Sequence, residues 1–154
     1  MKILAFAMGN VVRADDGAGR AIARGLEAIL PGVEIQEVQE LLPEHAEVAA
    51  QADGVLFLDA SVEGRPGEVR VARIGPRVAR AAVIHALMPE EILGLAAELH
   101  GRAPPAAIVT VSGRDFAWGE ALSAEVKAAL PLAREKAREA AESFEREPGP
   151  ARVF

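Results

Sequence analysis

The chain has 154 residues, about half of them hydrophobic, carries a net charge of −6 and contains no cysteine. That length suits one domain with a substantial core, and the missing cysteines exclude disulfides, thiolate zinc sites and a cysteine nucleophile together. The basic residues are scattered among a larger number of acids, which argues against a nucleic-acid partner, and the opening apolar run is too short for a membrane span and lacks a secretion-signal profile. A cytoplasmic location is expected.

Lys2 to Met8 is apolar on both alternating faces, which predicts a strand buried between two layers, as in a parallel α/β sheet. The chain then breaks into Gly9-Asn10-Val11-Val12-Arg13-Ala14-Asp15-Asp16-Gly17-Ala18-Gly19 before an amphipathic segment. The loop therefore falls at the carboxyl end of a central strand, where open α/β folds build their sites. Turn geometry at Gly9-Asn10 and helix capping by Asp15 are the plain structural account of it. Asn10 is the only asparagine in the chain.

Ala18, Ile22, Leu26 and Ile29 recur at helical spacing and predict a first crossover helix, ended by Pro31-Gly32. Val33 to Val38 reads as a second strand, and Pro43-Glu44 opens a helix that closes near Asp53-Gly54. Val55 to Leu58 is a second continuous apolar run, hence another buried strand, ending at Asp59. Glu68 to Ile74 alternates and suits a half-exposed edge strand after a hairpin. With no helix before it, that edge is expected to be antiparallel. Residues 75–84 carry no clear pattern.

Pro89 with Glu90 and Glu91 marks a helix start. Its predicted apolar face is Ile92, Leu95, Ala96 and Leu99, and it stops at His100-Gly101, with His100 a carboxyl-terminal cap residue. Ala106 to Val111 is a further strand, and the loop after it holds the single tryptophan, Trp118. Ser123 can cap the last helix, which Pro131 should kink or divide. Arg138 with Glu142, and Glu142 with Arg146, would lace its outer face. The expected architecture is a three-layer α/β/α domain over residues 1–147. It has a mostly parallel, twisted sheet of about five strands with one antiparallel edge, helices on both faces, and a flexible tail at 148–154.

The chain lacks a G-x-S-x-G elbow, an H-E-x-x-H pair and a phosphate-cradling G-x-x-x-x-G-K-[ST]. Glycines at 9, 17 and 19 also miss the dinucleotide spacing. A non-enzymatic module holding a nucleotide or small anion at the Gly9 to Gly19 loop remains an alternative, although two consecutive carboxylates there would repel phosphate. What is left is oxygen and imidazole chemistry. Asp16 and Asp59 fall at the same predicted sheet edge, and His85 precedes a helix that a doubly wound topology can bring there. Two carboxylates and an imidazole suit a borderline divalent metal such as nickel or zinc.

The first loop resembles the G-N-x-L-x-x-D-[DE]-G-x-G opening of the hydrogenase maturation endopeptidases. The similarity continues in order through Leu42-Pro43-Glu44-His45-Ala46-Glu47, Val55 to Ala60, Pro66-Gly67-Glu68-Val69, His85 to Glu90 and Gly119 to Ser123, covering roughly residues 1–130. Gly9, Asn10, Asp15, Gly17 and Gly19 are its supporting positions.

The resemblance implies a protease that trims the carboxyl-terminal extension from the large-subunit precursor of a nickel-iron hydrogenase once nickel is installed. In the family an acid in the first loop, an Asp ending the central strand and a later His bind the metal, matching Asp16, Asp59 and His85. The nickel would arrive with the substrate, zinc or cadmium could replace it in vitro, and no organic cofactor is implied. Asp16, as in an aspartic-type endopeptidase, or the metal itself would polarise a water, with Asp16 the better candidate among the carboxylates. Two departures stand out: Ala7 replaces a frequent glycine, and Asp16 stands where some members carry Glu, which shortens its reach. The same peptidase acting on another client is a further alternative.

Overall fold

The computed structural model describes residues 1–79 and 86–148. Five strands form one sheet: β1 (Ile3–Met8), β2 (Glu34–Val38), β3 (Gly54–Ser61), β4 (Val69–Ile74) and β5 (Ala106–Ser112). Their spatial order is β2-β1-β3-β5-β4, parallel throughout except for β4, which runs antiparallel to β5 at one edge. The helices are α1 (Ala18–Ala23), α2 (Leu26–Ile29), α3 (His45–Gln51), α4 (Pro89–His100) and α5 (Ala124–Arg146).

Alternation along the strands sorts the side chains onto two faces. Ile3, Ala5 and Ala7 of β1, with Leu56 and Leu58 of β3, pack under α1, α2 and α5 through Ile22, Leu26, Ala133 and Phe144. Leu4, Phe6, Val55 and Phe57 face the other way, onto Ala49 of α3 and Ile92 and Leu93 of α4. Covering both faces is what demands continuous apolar runs in β1 and β3. Burying each large side chain completely contributes about 1.5–3 kcal/mol, so the buried Phe6 and Phe57, stacked at 5.4 Å, anchor the second layer.

The predicted three-layer architecture and antiparallel edge agree with this, while six local expectations do not. The segment predicted as one helix over 18–29 breaks into α1 and α2. Arg134 donates to the carbonyls of Ala21 (2.8 Å) and Ile22 (3.1 Å), and Gly25 takes a left-handed conformation at the break. No hairpin joins β3 to β4, because β5 lies between them. Leu99 is 62% exposed, and Leu93 takes its place in the apolar face of α4. Gly101, left-handed, is the cap residue after α4. Helix α5 runs through Pro131 without interruption, capped by Ser123, whose hydroxyl accepts from Val126 N–H at 3.3 Å. On its outer face Glu142 pairs with Arg138 at 2.5 Å, and the expected pair with Arg146 is not formed. Beyond Pro148 the predicted tail lies outside the described residues.

Candidate functional site

Strands β1 and β3 are adjacent, yet the chain leaves β1 toward β2 on one side, whereas β3 lies on the side of β5 and β4. The crevice between their carboxyl ends is thus the point where strand order reverses, the usual location of a site in an open α/β sheet. In the register Ala7 lies beside Leu58 and Asp59 beside Thr110, so β3 continues past the end of β1. Asp59 does not end its strand, as the sequence suggested; Ala60 and Ser61 extend it. Two residues after the inward Phe57, Asp59 stands on the α3/α4 face, beside the end of β1.

The loop after β1 folds back over this crevice. Gly9 adopts φ +112, and a Cβ there would overlap the Asp16 carbonyl oxygen, so the loop closes tightly only on glycine. Asn10 Oδ1 accepts the Val12 N–H at 3.1 Å, a local turn of the kind short amides favour. A 3-10 turn, Ala14–Gly17, carries both acids. Gly19 lets α1 approach the strand ends, since a Cβ there would collide with the carbonyl oxygens of Leu58 and Met8.

Each of the two site carboxylates has one oxygen anchored by a backbone amide. Asp16 Oδ2 accepts the Asn10 N–H at 2.7 Å, and Asp59 Oδ1 accepts the Ala60 N–H at 2.8 Å. Among the described residues neither acid makes an ion pair. Burial pushes the Asp59 carboxyl up to about 6, the Ala60 N–H opposes this, and the negative charge of Asp16 adds to the rise. The two acids therefore meet at the edge where both were expected, and among the described residues no cation pairs with either.

His85 lies outside the described residues, in 80–85. The chain on either side is tied down: Arg77 N–H donates to the Glu90 carbonyl at 2.9 Å, and Leu87 N–H to that of Leu41 at 3.1 Å. Leu41 follows β2 at the same carboxyl edge. Among the described residues no three His, Cys, Asp or Glu side chains group as a metal site.

Asp15 corrects the sequence reading. It caps no helix; its fully buried carboxylate accepts the N–H groups of Arg114 (2.7 Å) and Asp115 (3.0 Å) at Oδ2 and of Ser123 (2.7 Å) at Oδ1. Burial alone would raise its pKa, but these bonds outweigh it and hold the carboxyl below its ordinary value. Asp15 thereby fastens the loop between β5 and α5 to the first loop. Ala14 N–H to the Gly119 carbonyl (2.6 Å) and Gly119 N–H to that of Val12 (2.9 Å) complete the seam. Ala14 takes a positive φ of 48 at this seam, uncommon for a residue with a Cβ. Arg13 lies over the Trp118 ring at 5.0 Å. None of these contacts was foreseen beyond the presence of the residues.

Beside the loop, toward α1 and α5, a cavity of about 480 Å³ is lined by Val11, Gly17, Ala21, Arg24 and Lys127, among others. His45 serves the fold: its Nδ1 accepts the Leu42 N–H at 2.9 Å and its ring meets Phe6 edge-on.

The chain is similar to the nickel-iron hydrogenase maturation protease HybD from Thermococcus kodakarensis, with 25% identity, a TM-score of 0.68, and coverage of 90% of this chain and 98% of that one. It is similar at 23% identity to the maturation protease HycI from T. kodakarensis KOD1, with a TM-score of 0.69 and 92% of each chain covered. An endopeptidase from Escherichia coli is also 23% identical, with a TM-score of 0.71 over 97% of this chain and 96% of that one. No protein-family model and no curated protein matches the chain.

Proposed function

We propose, from its likeness in fold to nickel-iron hydrogenase maturation proteases, that the chain is an endopeptidase that removes the carboxyl-terminal extension of a nickel-loaded hydrogenase large-subunit precursor. The observation that carries the reading is the pair Asp16 and Asp59 at the switch point, each held by one backbone N–H and, among the described residues, in no ion pair. Two adjacent carboxylates attract a metal centre and repel phosphate, which weighs against the nucleotide-binding alternative. Leu87, two residues after His85, is bridged to the same edge, which supports His85 as the third, imidazole ligand.

In this reading the substrate brings the nickel, and the three side chains recognise it, so only a loaded precursor is held with its scissile peptide beside the acids. A water placed between that peptide and Asp16 gives up a proton to the carboxylate as its oxygen attacks the carbonyl carbon; the proton then passes to the departing amine as the C–N bond breaks. Asp59 holds the ion from β3, across from the first loop.

The test is co-expression with candidate large-subunit precursors, with and without nickel, followed by intact mass. Loss of the extension only in the nickel-supplied cells is expected. A nickel-loaded precursor set that stays uncut throughout would overturn the assignment.

A further inference from the structure

On the α1 and α5 side of the sheet, away from the face on which Asp59 stands, lies the cavity of about 480 Å³, a size within the range of small-molecule sites. Arg24, the residue after α1, and Lys127 of α5 both line it, and both are exposed. Among the described residues neither is in an ion pair. Cations close to them in the chain do find carboxylates: Arg20 reaches Glu37 at 3.5 Å, and Arg114 reaches Glu125 at 3.3 Å. We propose that this cavity is a ligand site separate from the acid pair, and that it takes a monocarboxylate on a short aliphatic body. The site stands independently of the peptidase reading.

Charge selects the head group. Glu120 is the one acid among the described lining residues, so the lining carries two positive charges against one negative, in a chain whose net charge is −6. A single negative charge balances that set, whereas a phosphate monoester at about −1.5 to −2 exceeds it and meets Glu120. Glu27 and Glu37 line the adjoining cleft on the other side of Arg24, and neither pairs with it. The guanidinium offers a planar fork of N–H donors that matches a carboxylate, and the lysine adds a point charge beside it.

The rest of the lining selects the body. Val11, Ala21 and Leu122 supply aliphatic surface, and no described lining residue is aromatic, so nothing there stacks a nucleobase. A small branched chain covers that surface and removes it from water. Ala14 and Gly17, the two ends of the turn that carries Asp16, also line the cavity, so the Gly17 amide reports its occupancy.

The test is a nuclear magnetic resonance titration of the full chain with isocaproate, isocaproamide, inorganic phosphate and the peptide acetyl-Ala-Ala-Leu. Isocaproate is expected to shift the amides of Gly17, Arg24 and Lys127 and to saturate below about 10 mM, with isocaproamide and phosphate weaker. Arg24→Gln and Lys127→Gln should each weaken isocaproate about 3-fold and the double variant about 10-fold, while Glu120→Gln tightens it. Lys136→Gln, whose lysine pairs with Glu139 further along α5, should bind as wild type does. Tighter binding of the peptide than of isocaproate supports the site and identifies a peptide carboxyl terminus as the source of the carboxylate; the reverse order supports it with a free small acid. Absence of saturable shifts, equal binding of isocaproamide, phosphate as tight as isocaproate, or a folded double variant that binds like wild type overturns the proposal. None of these results touches the peptidase reading.

Discussion

Asp59 on β3 lies within the field of Asp16 on the loop after β1, and burial together with that charge lifts the Asp59 carboxyl from 3.8 to about 6. The folded protein therefore holds a proton on Asp59 that the unfolded chain has released. Between pH 4 and 6 the native state binds more protons than the unfolded state, so this group's contribution makes stability fall as pH rises through that window. The full effect is about 3 kcal/mol. Asp59→Asn keeps an oxygen for the Ala60 N–H and removes the charge. Its melting temperature should match wild type near pH 4 and exceed it by about 5–10 °C above pH 6.5; scanning calorimetry across that range checks this, and a constant difference would contradict it.

The same proton must leave before Asp59 can ligate an ion, so metal affinity should fall with pH below about 6. Titration with cadmium at pH 5 and 7.5 should show the weakening in the wild type and a flatter dependence in Asp59→Asn. Asp16→Asn, Asp59→Asn and His85→Ala should each slow precursor processing by about 100-fold to 10,000-fold with native circular dichroism retained. Full processing by any one of them removes that residue from the site.

How legible this was depends on how local each cause is. The runs at Ile3, Val55 and Ala106 read correctly as buried strands because both faces of each are covered, which leaves no polar alternation to confuse. Asp16 and Asp59 could be paired because carboxyl ends of parallel strands share an edge. The position of β4 as an antiparallel edge was legible from its alternation, but its partner was not: β5 begins 32 residues after β4 ends, and α4 decides where it lands. Asp15 was misread for a similar reason. Its chemistry, a carboxylate accepting backbone N–H groups, is that of a helix cap, but the groups it serves lie 99 to 108 residues further along. The break at Gly25 was hidden because the apolar spacing runs straight through it, and only Arg134 of α5 shows which carbonyls it frees.

Asp15 should therefore behave as a structural anchor with a pH dependence opposite to that of Asp59. Its folded pKa is depressed, so its stabilisation is present above pH 3.8 and is lost as pH falls through the lower folded value. Asp15→Asn offers one oxygen where two are used, and at least one buried N–H then faces an amide NH2. The expected cost is about 2 kcal/mol, a drop of roughly 4–8 °C at pH 7, with hydrogen exchange accelerated at Arg114, Asp115 and Ser123. Unchanged protection at those amides would show that the loop is held by other contacts.

Gly9 and Gly32 separate two penalties that are usually confounded. Both have positive φ, +112 and +84, but a Cβ on Gly32 meets nothing within 4 Å, whereas one on Gly9 runs into the backbone of Asp16. Gly32→Ala should cost only the left-handed backbone strain, about 1 kcal/mol. Gly9→Ala adds overpacking of about 1–3 kcal/mol, and because the atom it displaces belongs to Asp16, the loss appears in the site as well. The expected signature is a melting temperature reduced more in Gly9→Ala than in Gly32→Ala, with processing lost in Gly9→Ala alone at temperatures where both variants remain folded. Equal activity in the two variants would mean that the closure of the first loop on Asp16 does not set the position of that acid.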